Sequence, residues 1–196
     1  MNKLLKIDAS PREEGSHSKD LAEMIEKKLK EKNKALQTVT RNLNQTNIPH
    51  LTQSYIEATF VPREERTNAM NEELKLANTL IKEIQNADIV LVSTPMYNFS
   101  IPSVLKAYID NIARVGETVT AAYEGLLKDK KLVIVSAYGA DFSNMETMDF
   151  VKPYLKAVFG FLGFEDITYI AIEGTSQLSS KEIQSKKIEL VNALNV

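Results

Sequence analysis

The chain has 196 residues with no cysteine, and its 24 Lys and Arg against 26 Asp and Glu give a formal net charge of −2. The length fits one domain, expected to span residues 1–196, while the missing cysteine excludes thiol nucleophiles, Cys-ligated zinc and iron–sulfur clusters. The charge disfavours nucleic acid, and no apolar run nears the roughly 20 residues of a membrane span or forms a signal peptide, so we expect a cytoplasmic protein without nucleic-acid or membrane partners.

The first predicted strand, Leu4–Ile7, leads into a hydroxyl-rich loop and then a helix that Ser18 is suited to cap. Hydroxyls, loop amides and the positive end of the helix dipole would together form a cradle for a phosphate monoester. The loop lacks the Walker and dinucleotide glycine patterns, so we expect it to bind phosphate without transferring it. The alternative is an ordinary capped strand–helix turn. The candidate residues are Ser10, Ser16, His17 and Ser18.

His17 leaves two interpretations open. Its backbone amide or its ring could donate to the phosphate, or its side chain could be an exposed first-turn residue without a role. After this helix, a modest strand is predicted within residues 34–43 and a long aperiodic loop within residues 44–66. A further helix is predicted from Thr67 onward.

The segment Asp88–Ser93 is the strongest strand signal, because its continuous β-branched and Leu run is typical of a strand buried on both faces. The loop that follows carries soft and flat side chains, on which an aromatic plane could stack while backbone amides bind its polar rim. The alternative is a hydrophobic plug over the end of the sheet. The candidate residues are Pro95, Met96, Tyr97, Asn98 and Phe99.

A third predicted strand, Leu132–Ser136, ends at a loop in which Ser136 and Gly139 could donate to the edge of the same plane. Helices are predicted after it and at the C-terminus, around a fifth strand at residues 167–172. The alternation predicts a three-layer α/β sandwich with a five-stranded parallel sheet in the order 2-1-3-4-5. All three loops would then share one sheet edge, where a phosphate site beside a planar site fits flavin mononucleotide (FMN).

Several motifs resemble the FMN-dependent NADH-azoreductases, a flavodoxin-like group related to quinone reductases. They are Asp8–Pro11 with Ser16–Ser18, Pro95–Pro102 with Leu105–Asp110, and a late helix at residues 151–163. The resemblance covers essentially the whole chain. It implies one flavodoxin-like domain that holds FMN non-covalently, with the phosphate on the serine loop and the isoalloxazine on the second loop. It also implies a homodimer with two sites at the subunit interface.

The resemblance further implies an NAD(P)H oxidoreductase that reduces quinones and cleaves aromatic azo bonds to amines, by two-step hydride transfer through flavin N5. The flavin carries this chemistry, so no catalytic side chain and no metal is expected. Phe161, reaching in from the other subunit, and Phe60 would form the aromatic substrate wall. Tyr138 replaces a glycine usual in the family, and we expect it to narrow or cover the flavin edge. The alternatives are a flavin electron carrier and a flavin-free binding module of the same fold.

Overall fold

The computed structural model describes residues 1–195, in which a five-stranded parallel sheet lies between two layers of helices. Its strands are β1 (Lys3–Asp8), β2 (Gln37–Asn42), β3 (Ile89–Pro95), β4 (Lys131–Ala137) and β5 (Asp166–Ile172). The order β2-β1-β3-β4-β5 and the parallel pairing of every neighbouring pair confirm the predicted three-layer sandwich. The order of the sheet reverses between β1 and β3, which is where open α/β sheets bind their ligands.

Two helices cover one face of the sheet and three cover the other. The α-helices are α1 (His17–Lys32), α2 (Gln53–Phe60), α3 (Asn68–Glu73), α4 (Lys75–Asn86), α5 (Ser103–Ile112), α6 (Val151–Phe161) and α7 (Ser180–Ala193). Helices α1 and α7 pack on one face, whereas α4, α5 and α6 pack on the opposite face. None of the described helices has both the length and the apolar character needed to cross a membrane.

The central strand β3 shows why the apolar run predicts a buried strand. Val90 and Val92 belong to the core beneath α4 and α5, while Leu91 belongs to the core beneath α1. All three side chains are fully buried. Alternate residues therefore fill the two opposite layers, and a strand covered on both sides needs apolar residues at every position.

The structure corrects the predicted start of α1 and the predicted long loop. Helix α1 begins two residues earlier than expected, because Ser16 is its N-cap and Ser18 lies buried inside its first turn. The predicted long loop contains α2 and a short 3₁₀ turn, Arg63–Glu65. Helix α2 has only eight residues and buries just two of them, so it shows little helical periodicity in the sequence.

The helix predicted from Thr67 is broken in two. Thr67 is the N-cap of α3, and its side chain accepts from the Met70 amide. Leu74 then separates α3 from α4, where its backbone amide still donates to the Met70 carbonyl. Leu74 packs with Tyr55 of α2 in a small apolar cluster outside the main cores. The break thus lets the chain cover α2 before α4 returns to the sheet.

A partly buried ionic cluster joins β1, α1 and β2. The Glu26 carboxylate accepts from Lys30 at 2.6 Å and from the Thr38 hydroxyl at 2.8 Å, and it lies 3.1 Å from Lys6 Nζ. Burial alone would raise the pKa of Glu26, but hydrogen bonds from Lys30, Thr38 and Lys6 lower it to about 2. The ionised carboxylate therefore favours the folded state.

Replacing Glu26 with Gln is expected to lower the free energy of unfolding at pH 7 by about 2 kcal/mol. The folded pKa lies below the ordinary value of 4.5, so this stabilisation is present above pH 4.5 and is lost as the pH falls toward 2. Urea unfolding at several pH values tests this, with the exposed Glu31→Gln on the same helix as control. A difference between Glu26→Gln and wild type that stayed constant down to pH 3 would contradict it.

Candidate active site

Loops that follow β1, β3, β4 and β5 meet at the carboxyl edge of the sheet and enclose a cleft of about 430 Å³. The cleft lies at the topological switch point that the strand order predicts. Eight of the residues predicted to bind the cofactor line it, together with four others. The lining residues are Ser10, Arg12, Ser16, His17, Ser18, Pro95, Met96, Tyr97, Ala137, Gly139, Thr175 and Ser176.

The first loop supplies hydroxyl and amide groups to one end of the cleft. Ser10 and Ser18 are each 1% exposed, and the Ser18 hydroxyl lies 3.4 Å from that of Ser16. Ser16 caps α1, so the helix directs its positive end at the cleft. The first-turn amides of His17 and Ser18 have no acceptor within residues 1–195. These groups form a concave donor set suited to an anion.

His17 differs from the exposed residue of the simpler interpretation, because it is half-buried and lines the cleft. Its Nδ1 atom is buried and has no hydrogen-bond partner among the described residues. Burial and the nearby Lys187 lower the pKa of His17 below 6.5, against the opposing effect of Asp20. The ring is therefore neutral at pH 7, and Arg12 is the cationic side chain that lines the cleft.

The second loop contains a tight turn at residues 97–100. The amide of Tyr97 donates to the Ser100 carbonyl at 2.9 Å, and the Ser100 amide donates back at 3.0 Å. Asn98 (φ 49°) and Phe99 (φ 69°) are both left-handed, as in a type I′ turn. For a bulky residue such as Phe99 this backbone costs on the order of 1 kcal/mol. The turn leaves the amides of both left-handed residues without an acceptor within residues 1–195.

Five predicted residues do not line the cleft of the single chain. Asn98 and Phe99 lie beside it, next to Tyr97. Ser136 is fully buried in β4, where its hydroxyl accepts from the Tyr169 hydroxyl at 2.9 Å. Phe60 at the end of α2 is 83% exposed, and Phe161 at the end of α6 is 43% exposed. Both phenyl rings are thus on the surface rather than in the cleft.

Tyr138 does not narrow or cover the cleft, which corrects that expectation. Its side chain is 1% exposed and packs edge-on against Phe142, with ring centroids 5.2 Å apart. Successive side chains at the end of β4 point to opposite faces. Tyr138 therefore joins the α6 side of the sheet, whereas its neighbours Ala137 and Gly139 line the cleft.

Four residues that line the cleft were not predicted: Arg12, Ala137, Thr175 and Ser176. Thr175 and Ser176 follow β5, and the rule that selected the loops after the other strands would also have selected this one. The loops after β4 and β5 approach closely, because the Ser176 amide donates to the Gly139 carbonyl at 3.0 Å. A Cβ on Gly139 would lie 2.8 Å from the Ser176 hydroxyl oxygen. Glycine at this position thus permits the contact.

Comparisons with known proteins agree with this fold. A family model described as flavodoxin-like fold matches residues 2–194. The chain is 42% identical to an FMN-dependent NADH:quinone oxidoreductase of Hydrogenovibrio crunogenus, over 99% of this chain and 100% of that relative. It is 39% identical to FMN-dependent NADH:quinone oxidoreductase 1 of Hahella chejuensis, over 87% and 84% of the two chains.

Solved structures of related proteins have the same fold. An azoreductase from Bacillus anthracis strain Sterne superposes with a TM-score of 0.86 at 27% identity, over 97% of both chains. An FMN-dependent NADH-azoreductase from Bacillus anthracis strain Ames Ancestor, solved in complex with FMN, superposes with a TM-score of 0.85 at 28% identity. That match covers 98% of this chain and 97% of the other.

Proposed function

Because this chain belongs to the FMN-dependent NADH-azoreductase family, of flavodoxin-like fold, we propose that it is an FMN-dependent NAD(P)H:quinone oxidoreductase that also cleaves aromatic azo bonds. One observation carries the proposal: the two ends of a single cleft differ in character. One end is suited to an anion, and the other is flat and largely apolar. Ser10, Ser18 and the start of α1 form the first, while Met96 and Tyr97 form the second.

The residues present fit FMN at both ends. Buried hydroxyls, two unpaired first-turn amides and Arg12 suit a phosphate, and the unpartnered Nδ1 of His17 leaves a further polar group for the ligand. At the other end, Met96 and Tyr97 offer a surface on which a ring can stack. The volume of the cleft lies within the range of ordinary small-molecule sites.

The protein's part in the mechanism is binding, orientation and charge stabilisation. The chemistry that bound FMN supplies is hydride exchange at ring atom N5, from NADH or NADPH and then to a quinone or an azo bond. The cradle at Ser10, Ser16, His17 and Ser18 would fix the phosphate. Pro95, Met96 and Tyr97 would support the ring, and Gly139 would border its edge.

The left-handed turn would contribute its two free amides. The N–H groups of Asn98 and Phe99 are held in place before any ligand arrives, and they can donate to a ring edge on which negative charge accumulates. Donors that are already oriented stabilise such charge without reorganisation. No side-chain acid or base is required in this scheme. We do not include Ser136 among the proposed flavin-binding groups, because its buried hydroxyl accepts a hydrogen bond from Tyr169.

We also propose that the single domain acts as a homodimer with the substrate bound near the subunit interface. The support is the exposure of Phe60 and Phe161, two large aromatic side chains that the single chain leaves at its surface. In a dimer, each could border the open side of a neighbouring cleft and form the aromatic wall for quinones and azo compounds.

An absorption spectrum followed by anaerobic addition of NADH tests the proposal. The purified protein, after incubation with FMN and removal of excess, is expected to show flavin bands that NADH bleaches and a quinone restores. Steady-state consumption of NADH or NADPH should follow with a quinone or an azo dye. A protein that stays colourless would favour the flavin-free module. A bound flavin that NADH does not reduce would favour the electron carrier, whose acidic docking surface a net charge of −2 does not suggest.

A further inference from the structure

Tyr138 is connected to the left-handed turn by a continuous set of contacts that the proposed function does not use. Its hydroxyl donates to Asp149 Oδ2 at 3.0 Å, and it also contacts the Tyr169 hydroxyl. Burial, together with Tyr169 and Asp149, raises the pKa of Tyr138, so the hydroxyl keeps its proton and remains a donor. Tyr138 thus anchors one oxygen of the Asp149 carboxylate.

The other oxygen of Asp149 fixes the start of α6. Asp149 Oδ1 accepts from the Val151 amide at 2.8 Å and from the Lys152 amide at 3.1 Å. The intervening residue, Phe150, is held between these two anchors. Its amide donates to the Phe99 carbonyl at 3.0 Å. The position of Asp149 therefore determines where the amide that holds the turn is placed.

Aromatic rings connect Tyr138 to Phe99 by a second route. The Tyr138 ring packs edge-on against Phe142, and Phe142 packs edge-on against Phe99 with centroids 6.5 Å apart. Phe99 is thus restrained at its carbonyl and at its ring. Since its backbone is left-handed and strained, restraints from outside the turn are what such a conformation requires.

We propose that Tyr138 is a positioning residue for the flavin: through Asp149 and Phe150, its hydroxyl holds the turn in the shape that offers the amides of Asn98 and Phe99 to the ring. The inference rests on the proposed function. Tyr138 does not touch the cleft and acts only through the turn. Its effect should therefore concern the ring of the flavin and spare the phosphate.

Tyr138→Phe and Tyr169→Phe form a matched pair for the test. Each removes one hydroxyl from the same cluster, but only Tyr138→Phe breaks the bond to Asp149. We expect Tyr138→Phe to weaken FMN and riboflavin about tenfold each, and Tyr169→Phe to weaken them by less than about twofold. Flavin dissociation constants come from fluorescence quenching. Melting temperatures of the flavin-free proteins are the stability control, and we expect the two variants to lose similar stability.

A second test, in the Phe99→Gly variant, distinguishes a positioning role of Tyr138 from a general loosening of the fold. Glycine adopts a left-handed backbone without strain, so a Phe99→Gly turn needs no external restraint. In that background Tyr138→Phe is expected to weaken FMN by less than about twofold, because coupled residues are non-additive. If Tyr138→Phe does not fold, Asp149→Ser is expected to reproduce its effect, because the shorter side chain keeps an oxygen for the α6 amides but does not reach the Tyr138 hydroxyl.

Equal effects of Tyr138→Phe and Tyr169→Phe on flavin affinity, in a wild type that binds FMN, would overturn the positioning role and leave the proposed function intact. So would a Tyr138→Phe effect of the same size in the Phe99→Gly background. A wild-type protein that does not bind FMN would overturn the proposed function, and the positioning role with it.

Discussion

Replacing Gly125 with alanine is expected to lower the free energy of unfolding by about 3 kcal/mol. An added Cβ would lie 2.2 Å from the backbone nitrogen of Gly163 and 2.3 Å from the carbonyl carbon of Leu162. These are main-chain atoms, so no side-chain rotation can relieve the overlap. The segments around Gly125 and Gly163 cross at this point. A hydrogen bond also joins them, in which the Leu127 amide donates to the Leu162 carbonyl at 2.9 Å.

Urea unfolding followed by circular dichroism measures this effect, with Gly160→Ala as the matched control. Gly160 lies within α6, and a Cβ there would meet no atom within 4 Å among the described residues. Alanine is the better helix former, so the control is expected to gain about 0.5–1 kcal/mol. Equal stabilities of the two variants would mean that the segments around Gly125 and Gly163 do not cross at this distance.

Removing two hydroxyls from the phosphate cradle is expected to weaken FMN binding about 100-fold. Ser10 and Ser18 are both buried at the cleft, and a hydrogen bond to a charged group is worth about 1.5–3 kcal/mol. The double variant Ser10→Ala with Ser18→Ala keeps Ser16, because that residue caps α1 and its loss would also affect the helix. Riboflavin, which lacks the phosphate, should bind the variant and the wild type about equally well.

Titration of the flavin-free protein with FMN and with riboflavin gives both affinities. Ser103→Ala, at the exposed start of α5 and outside the cleft, is the control and should bind both ligands as the wild type does. An equal loss for FMN and riboflavin would place these hydroxyls at the ring. Unchanged affinity for both ligands would show that the phosphate does not bind to these hydroxyls.

The sequence predicts the sheet well, because burial of a parallel strand constrains every one of its residues. Residues 89–92 have to fill both layers, and their unbroken apolar run indicates this directly. Once five strands alternate with helices, few strand orders remain and the ligand edge follows. The same rule brings the serine loop and the Met96–Tyr97 segment to one cleft.

Features that depend on contacts between distant segments were not predictable in this way. The direction of Tyr138 depends on strand register at the end of β4, and a shift of one residue would have put it in the cleft. Helix α2 is stabilised by Leu74 and Ala77, which lie more than a dozen residues further along the chain. The strained backbone at Phe99 contacts Phe150 and Phe142, which belong to another loop and are remote from it in the sequence.

The backbone of the turn at Asn98 and Phe99 also determines which experiments can detect its proposed contribution to flavin binding. The groups it offers belong to the main chain, so trimming either side chain leaves both donors in place. Surveys that truncate side chains one at a time would therefore undervalue this part of the site, and evolutionary drift at the two positions would be tolerated while the backbone kept its shape. Replacing one peptide bond of the turn with an ester, which deletes a single N–H group, would reveal it directly.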